Sequence, residues 1–173
     1  NGTAENITTI HLNAEGIPAS ADGTGRWSYY AGSCCMNLNE GTFTLQPSSE
    51  PGAESALQAE LNIYDAEFNG GTVGAVGYGT YNYGAISDGT FQGTVNNDYS
   101  YDNNNVSIPG VISGGTFQGT VYNSGTISNG NFQGDVHNYS TISGGTFEEA
   151  VEVYASSGTE AKIEGGTFEK RMN

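Results

Sequence analysis

Three carboxylates stand out as side chains that could do chemistry. Asp135 lies on one outward row of a repeated pattern, Glu148 lies on a second row, and Glu169 follows it one repeat later. A glycoside hydrolase needs two carboxyl groups about 5 to 9 Å apart across a sugar. If the chain is an enzyme, Asp135, Glu148 and Glu169 are therefore its catalytic candidates. The neighbouring positions carry Thr and Gln rather than aromatic residues, so an acidic face that hinders strand aggregation is the favoured alternative.

A second group joins tyrosines to oxygen-rich side chains. The segment 96–107 is rich in Asn and contains two Tyr and two Asp. Tyr and Asn can hold a sugar ring by stacking and hydrogen bonding, and oxygen-rich loops can bind calcium. No EF-hand spacing is present, and a solvated polar loop is the plainer alternative. No cofactor is expected, calcium being the one ion that such a loop could take. The candidate ligand-binding residues are Tyr78, Tyr81, Tyr83, Tyr99, Tyr101, Asp98 and Asp102.

The cysteines and histidines do not form a recognisable catalytic or metal site. Cys34 and Cys35 are adjacent, and a disulfide between such neighbours is strained. Two reduced thiols, one facing inward and one outward, are the favoured state because side chains alternate along a strand. His11 and His137 have no second zinc ligand near them in the pattern.

Composition and charge exclude several classes of function. The 173 residues include 4 Lys and Arg against 19 Asp and Glu, which gives a formal net charge of −15. Phosphate binding needs clustered Lys and Arg, so nucleic acid is not expected as a partner, and an anionic membrane surface is disfavoured. No apolar run approaches the ~20 residues of a spanning helix, so no membrane insertion is expected. A first residue other than Met predicts a mature or trimmed product.

A repeated pattern must position these residues. An aliphatic residue is followed five positions later by Phe, as in Ile112 and Phe117, and then by Val121 and Asn123. From Phe117 to Asn123 the alternation has a period of two residues, which predicts a strand and not a helix. The repeats start near residues 38, 63, 86, 112, 127, 142 and 163.

Repeats of 15 to 26 residues with a fixed inner code are typical of a β-solenoid, an all-β fold in which equivalent strands stack in parallel. The spacing predicts columns of stacked side chains and a buried row of amides that bond to one another. Residues 1–37 lack a clear repeat and are expected to form an N-terminal cap, with the repeats occupying residues 38–173. The predicted stacked residues are Phe91, Phe117, Phe132, Phe147 and Phe168, and the predicted amide row is Asn97, Asn123 and Asn138.

The repeat motifs resemble a known group of proteins. GGTF at 114–117, 144–147 and 165–168, with FxGxVxN at 117–123, is similar to the β-helical repeats of secreted and surface proteins of gut Firmicutes. The inward Asn row is similar to the asparagine ladder of pectate-lyase-like proteins. The resemblance implies a single-stranded right-handed parallel β-helix, in an extracellular or cell-surface protein of a bacterium.

Two hypotheses for function follow from the resemblance. The first is a non-enzymatic adhesin or spacer that contacts glycans or host and cell-surface proteins, as a monomer or associated end to end. The alternative is a carbohydrate-active enzyme, either a polysaccharide lyase or a glycoside hydrolase. A lyase of this kind also needs a basic catalytic residue, and the four cations of the chain are near its ends. These cations are Arg26, Lys162, Lys170 and Arg171.

Overall fold

The computed structural model describes residues 7–155 and 160–170, and Arg171 lies outside this part. The described chain is all-β, with one large, mainly parallel sheet that is curled, a two-stranded hairpin and a single 3-10 turn at Ala31–Ser33. Many Gly and β-branched residues and few strong helix formers account for this choice of structure. The strands are β1 (Ile7–Leu12), β2 (Pro18–Gly23), β3 (Arg26–Tyr30), β4 (Cys35–Gln46), β5 (Glu60–Val73), β6 (Thr80–Asn82), β7 (Ala85–Phe91), β8 (Val95–Asn97), β9 (Tyr99–Tyr101), β10 (Ser107–Pro109), β11 (Val111–Ile112), β12 (Thr116–Phe117), β13 (Val121–Asn123), β14 (Thr126–Ile127), β15 (Asn131–Phe132), β16 (Val136–Asn138), β17 (Thr141–Ile142), β18 (Thr146–Phe147), β19 (Val151–Val153), β20 (Lys162–Ile163) and β21 (Thr167–Phe168).

Equivalent strands of successive repeats pair in parallel and in register. β13, β14 and β15 form one level of the sheet, and they pair with β16, β17 and β18 of the next level. Val121 therefore lies beside Val136, which is its own equivalent one repeat later. Because equivalent residues pair in register, each side chain keeps its inward or outward direction and its place along the level from one repeat to the next. The predicted stacking of equivalent columns is confirmed from Ile86 onward.

The Phe column forms the most continuous part of the core. From Phe91 to Phe168 each ring lies nearly parallel to the next, with interplanar angles of 6–8°. The ring centroids of Phe117 and Phe132 are 4.8 Å apart, which matches the spacing of paired strands. The stack is fully buried in its middle and half-buried at Phe168. Its members are the predicted residues Phe91, Phe117, Phe132, Phe147 and Phe168.

The predicted amide row is a ladder of hydrogen bonds between fully buried side chains. The Nδ2 of Asn97 donates to the Oδ1 of Asn123 at 2.7 Å, and the Nδ2 of Asn123 donates to the Oδ1 of Asn138 at 2.7 Å. Asn82 extends the ladder by one level, because its Nδ2 donates to the Oδ1 of Asn97 at 2.8 Å. Each amide also reaches a backbone carbonyl, as Asn123 does at Thr141. These bonds remove the cost of burying four polar groups.

The two upstream copies of the motif join the sheet in a different register from the one that the motif alignment predicts. Leu38 pairs with Ile63 as expected, but Ile63 then pairs with Asn82 and not with Ile86. Ile86 pairs with Phe68 instead. Leu38 and Ile63 therefore occupy the column of the Asn ladder. All these apolar residues are fully buried, so the apolar spacing alone does not distinguish the two registers.

A bulge interrupts the pairing of β5 with β7. The pairing of β5 with β7 shifts at Asn69 and again before Thr72. Gly71 lies between them with a φ of +100°, and a Cβ there would lie 2.7 Å from the carbonyl oxygen of Leu45. Only glycine fits such a conformation and so close an approach.

Antiparallel strands occupy the N-terminal edge of the parallel sheet. β1 pairs in parallel with β4 at residues 42–46, and β2 pairs antiparallel with β1. β3 pairs antiparallel with residues 35–40 of β4. The division into a cap at residues 1–37 and repeats at 38–173 stays a prediction, and residues 1–6, 156–159 and 171–173 lie outside the described part.

Both cysteines are free thiols. Cys34 is exposed and ends the 3-10 turn with a φ of +47°, so it precedes β4 and strand alternation does not apply to it. Cys35 is half-buried, and the next residue, Met36, is fully buried. Because side chains alternate along a strand, Met36 faces the core and Cys35 faces outward. The expectation of one inward thiol is therefore wrong. Burial, to which the charge of Glu60 adds, raises the pKa of the Cys35 thiol.

Candidate functional site

A hairpin inserted between two levels forms one wall of a groove. The strands β9 and β10 pair antiparallel between the end of β8 and the start of β11. The backbone N–H of Gly110 donates to the carbonyl oxygen of Asp98 at 2.6 Å, so the chain leaves and re-enters the sheet at nearly the same point. The insertion thus adds a projecting wall without disturbing the pairing of β8 and β11 with their neighbours.

The two aspartates of this insertion bind its own backbone. The Oδ1 of Asp102 accepts hydrogen bonds from the N–H groups of Asn104 and Val106, each at 2.8 Å, and the bond from Val106 is the main reason that the pKa of Asp102 is lowered. The Oδ1 of Asp98 accepts from the N–H of Tyr99 at 2.9 Å. Among the described residues, no group of three or more His, Cys, Asp or Glu could hold a metal ion. Calcium binding at this loop stays a prediction.

The groove has a volume of about 1000 Å³ and lies between the hairpin and the three levels that precede it. Part of its lining consists of small residues, which leave room beside the hairpin. These small residues are Gly41, Ala66, Gly84 and Ala85, and the hairpin contributes Ser100, Tyr101, Ile108 and Pro109.

Three tyrosines give the groove aromatic surfaces. Tyr64 and Tyr83 lie on adjacent levels with ring centroids 5.7 Å apart and planes 7° apart. Tyr101 lines the same groove from the hairpin and is 59 % exposed. Burial raises the pKa of Tyr83, and Asp98 adds to the effect, so its hydroxyl is protonated at neutral pH. Neutral aromatic faces with a hydroxyl at one end suit a ligand that is both apolar and polar.

Carboxylates line the same groove. Glu40 and Asp65 are partners on the neighbouring strands β4 and β5, and Glu67 follows two residues later on the same side of β5. The Oγ of Ser87 donates a hydrogen bond to Glu67. The guanidinium of Arg26 lies 3.9 Å from Glu40, and both side chains are mainly exposed. The groove therefore carries a negative charge that disfavours anionic ligands.

The structure places two of the five predicted ligand-binding tyrosines in the lining of the groove. Tyr83 and Tyr101 line the groove, and Tyr99 contacts Tyr101 edge to face at 5.5 Å. Tyr81 lies in the middle of β6 beside Asn96. Tyr78, which is 80 % exposed, precedes β6, and its backbone N–H donates to Glu60. The sequence analysis missed four residues that also line the groove, Tyr64, Glu40, Asp65 and Glu67.

The three predicted catalytic carboxylates lie elsewhere on the sheet and do not line this groove. Glu148 and Glu169 each follow a Phe of the stack on successive levels. Glu148 accepts a hydrogen bond from Gln133 at 3.4 Å. Asp135 is exposed in the turn before β16. A catalytic role for these residues stays a prediction.

A second aromatic cluster lies on the later levels. Tyr122 and His137 are partners on β13 and β16 and stack at 4.8 Å, while Tyr139 and Tyr154 stack at 4.8 Å. The hydroxyl of Tyr154 donates to Glu152 and lies 3.1 Å from the Nδ1 of His137. The bond to Glu152 is the main reason that the pKa of Tyr154 is raised to about 12. The sequence analysis noted that His137 has no second zinc ligand near it, and it did not single out Tyr154, which follows 17 residues later.

None of the described residues forms a helix that is long and apolar enough to cross a membrane. Compared with protein-family models, with curated proteins and with solved structures, the chain gives no match. Its function must therefore be argued from the groove and from the sheet that builds it.

Proposed function

We propose that the protein is a non-enzymatic module of a secreted or cell-surface bacterial protein, and that its groove contacts a glycan. The observation that carries the proposal is the grouping of Tyr64, Tyr83 and Tyr101 with carboxylates around one groove. Sugars present apolar C–H faces and a rim of hydroxyls. Aromatic rings suit the former, and carboxylates, which accept hydrogen bonds, suit the latter.

The charge of the groove selects among glycans. Glu40, Asp65 and Glu67 would repel uronic acids and sulfated sugars, and Arg26 is the one nearby cation among the described residues. The proposed ligand is therefore a neutral polysaccharide.

We further propose that the curled sheet closes into a single-stranded right-handed parallel β-helix related to the GGTF-type repeats. The three in-register pairings for each 15-residue step support closure. The strong preference for right-handed connections between parallel strands supports the handedness.

Replacing Tyr101 with alanine is expected to weaken binding to a neutral polysaccharide about tenfold, because one exposed stacking surface is lost. The measurement is affinity electrophoresis of the wild type and the variant in native gels that contain hydroxyethyl cellulose, xylan or laminarin. Polygalacturonate is the acidic comparison and is expected not to retard the wild type.

The matched control is Tyr30→Ala, because Tyr30 is 56 % exposed on β3 and does not line the groove. It is expected to bind as the wild type does. Equal retardation of the wild type and Tyr101→Ala, or no retardation by any neutral polysaccharide, would contradict the proposal.

A carbohydrate-active enzyme is the second candidate, and one observation favours it. Glu40 and Asp65 are partners on adjacent strands, which lie about 4.8 Å apart. Side chains at paired positions of adjacent strands are neighbours, and a glycosidase needs two neighbouring carboxyl groups beside the scissile bond. For this second candidate, Glu40 and Asp65 in the groove are therefore the proposed catalytic residues, in place of Asp135 and Glu148.

Assays for new reducing ends and for unsaturated products separate the two candidates. The non-enzymatic module is expected to bind polysaccharide and to release neither product. Turnover that falls at least about 100-fold in Asp65→Asn would assign a hydrolase or lyase to the groove. Turnover that falls in Asp135→Asn and persists in Asp65→Asn would instead assign it to the residues chosen from the sequence.

A further inference from the structure

One column of the sheet carries a tyrosine on most of its levels. The column consists of the residue that directly follows each member of the Asn-ladder column, and its backbone bonds confirm the alignment: the N–H of Tyr139 donates to the carbonyl of Asn123, and that of Tyr154 to the carbonyl of Asn138. Along successive levels its members are Tyr64, Tyr83, Asp98, Ser124, Tyr139 and Tyr154.

The hairpin leaves the sheet within this column, directly after Asp98. It therefore divides the column into an upstream pair, Tyr64 and Tyr83, and a downstream pair, Tyr139 and Tyr154. The upstream pair lines the groove. The downstream pair has the same stacked geometry, with planes 14° apart, and belongs to the second aromatic cluster.

The downstream cluster combines ring surfaces with hydrogen-bonding groups. Tyr122 is 39 % exposed and Tyr154 is 37 % exposed. On the level before Tyr139 the column holds Ser124, whose side chain is too short to cover a tyrosine ring. The neighbouring row offers the imidazole of His137 and the carboxylate of Glu152, which contact the hydroxyl of Tyr154.

We propose that Tyr122, His137, Tyr139 and Tyr154 form a second saccharide subsite, which binds a neutral glycan chain that also occupies the groove. This inference rests on the proposed function of the groove. Tyr83 and Tyr139 are three levels apart, or about 14 Å along the column, and the hairpin projects between them, so only a chain of several sugars that passes the hairpin reaches both subsites. The second contact raises the affinity for long chains through effective concentration, without a change at the groove.

The test compares long and short probes. Affinity electrophoresis with hydroxyethyl cellulose, xylan or laminarin shows which polymer retards the wild type. Calorimetric titration then measures the binding of the disaccharide unit of that polymer. The double variant Tyr122→Ala/Tyr139→Ala is expected to lose about tenfold in affinity for the polymer. It is expected to bind the disaccharide within about twofold of the wild type, because that probe fits within the groove alone. Tyr101→Ala is expected to weaken the binding of both probes.

The outcomes separate this inference from the proposed function. Unchanged affinity of the double variant for the polymer, with weakened binding by Tyr101→Ala, would overturn the second subsite alone. Weaker binding of both the polymer and the disaccharide by the double variant would also overturn it, because the cluster would then affect the groove itself. No retention of the wild type by any of the polymers would overturn both. A thermal melt of each variant shows whether binding is lost through unfolding. The single variant Tyr122→Ala is a second control, because Tyr122 is an exposed residue whose replacement is not expected to disturb the fold.

Discussion

Replacing Phe132 with alanine is expected to lower the free energy of unfolding by about 3–5 kcal/mol. The Phe132 ring is fully buried, and its centroid lies 4.8 Å from that of Phe117 and 4.7 Å from that of Phe147. The substitution leaves a cavity in the middle of the stack and removes two ring contacts. The measurement is the midpoint of urea unfolding followed by far-ultraviolet circular dichroism.

The matched control is the same substitution at the end of the described stack. Phe168 is half-buried and has a ring contact with Phe147 alone among the described residues. Phe168→Ala is therefore expected to cost about 1–2 kcal/mol. Equal costs at the two positions would show that burial within the stack does not determine stability.

Replacing Asn123 with alanine is expected to lower the free energy of unfolding by about 2–5 kcal/mol, although little apolar surface is lost. The substitution leaves the Nδ2 of Asn97 and the Oδ1 of Asn138 without their partner in the ladder. Both groups are fully buried, so water does not replace the lost bonds at low cost. The midpoint of urea unfolding again provides the measurement.

Asn129→Ala provides the control for the ladder. Asn129 is exposed in the turn before β15, and its replacement is expected to change stability by less than about 0.5 kcal/mol. If Asn123→Ala proved as mild as Asn129→Ala, the ladder would not be a source of stability.

The sequence predicts the later levels well because their period is short and regular. Ile112, Ile127 and Ile142 are 15 residues apart, so one alignment fixes the position of every neighbouring side chain. The Phe stack and the Asn ladder follow from the same alignment. Where the period is constant, local pattern and long-range pairing contain the same information.

The earlier levels were assigned the wrong register because two alignments bury the same kind of residue. Ile86 could pair with Ile63 or with Phe68, which are both buried and apolar, and it pairs with Phe68. The bulge that follows Phe68 was also not predicted, because it depends on the close approach of Gly71 to the backbone of Leu45, which the sequence does not display. The groove was missed for a different reason: Glu40 and Asp65 pair as the alignment of Leu38 with Ile63 predicts, but the sequence does not show that the inserted hairpin lines one groove with them.

The hydrogen bonds of the buried amides all run in one direction. From Asn82 onward each NH2 group donates towards the C-terminal levels, and the carbonyls of Asn97, Asn123 and Asn138 each accept from the level before. The four amide dipoles therefore point head to tail, as peptide groups do in a helix, and each polarises the next. The positive end lies at Asn138, where the NH2 donates to the carbonyls of Ser140 and Lys162. The interior of the sheet thus has an electrical polarity, directed along the stack of levels, that its repeated apolar columns alone would not give it.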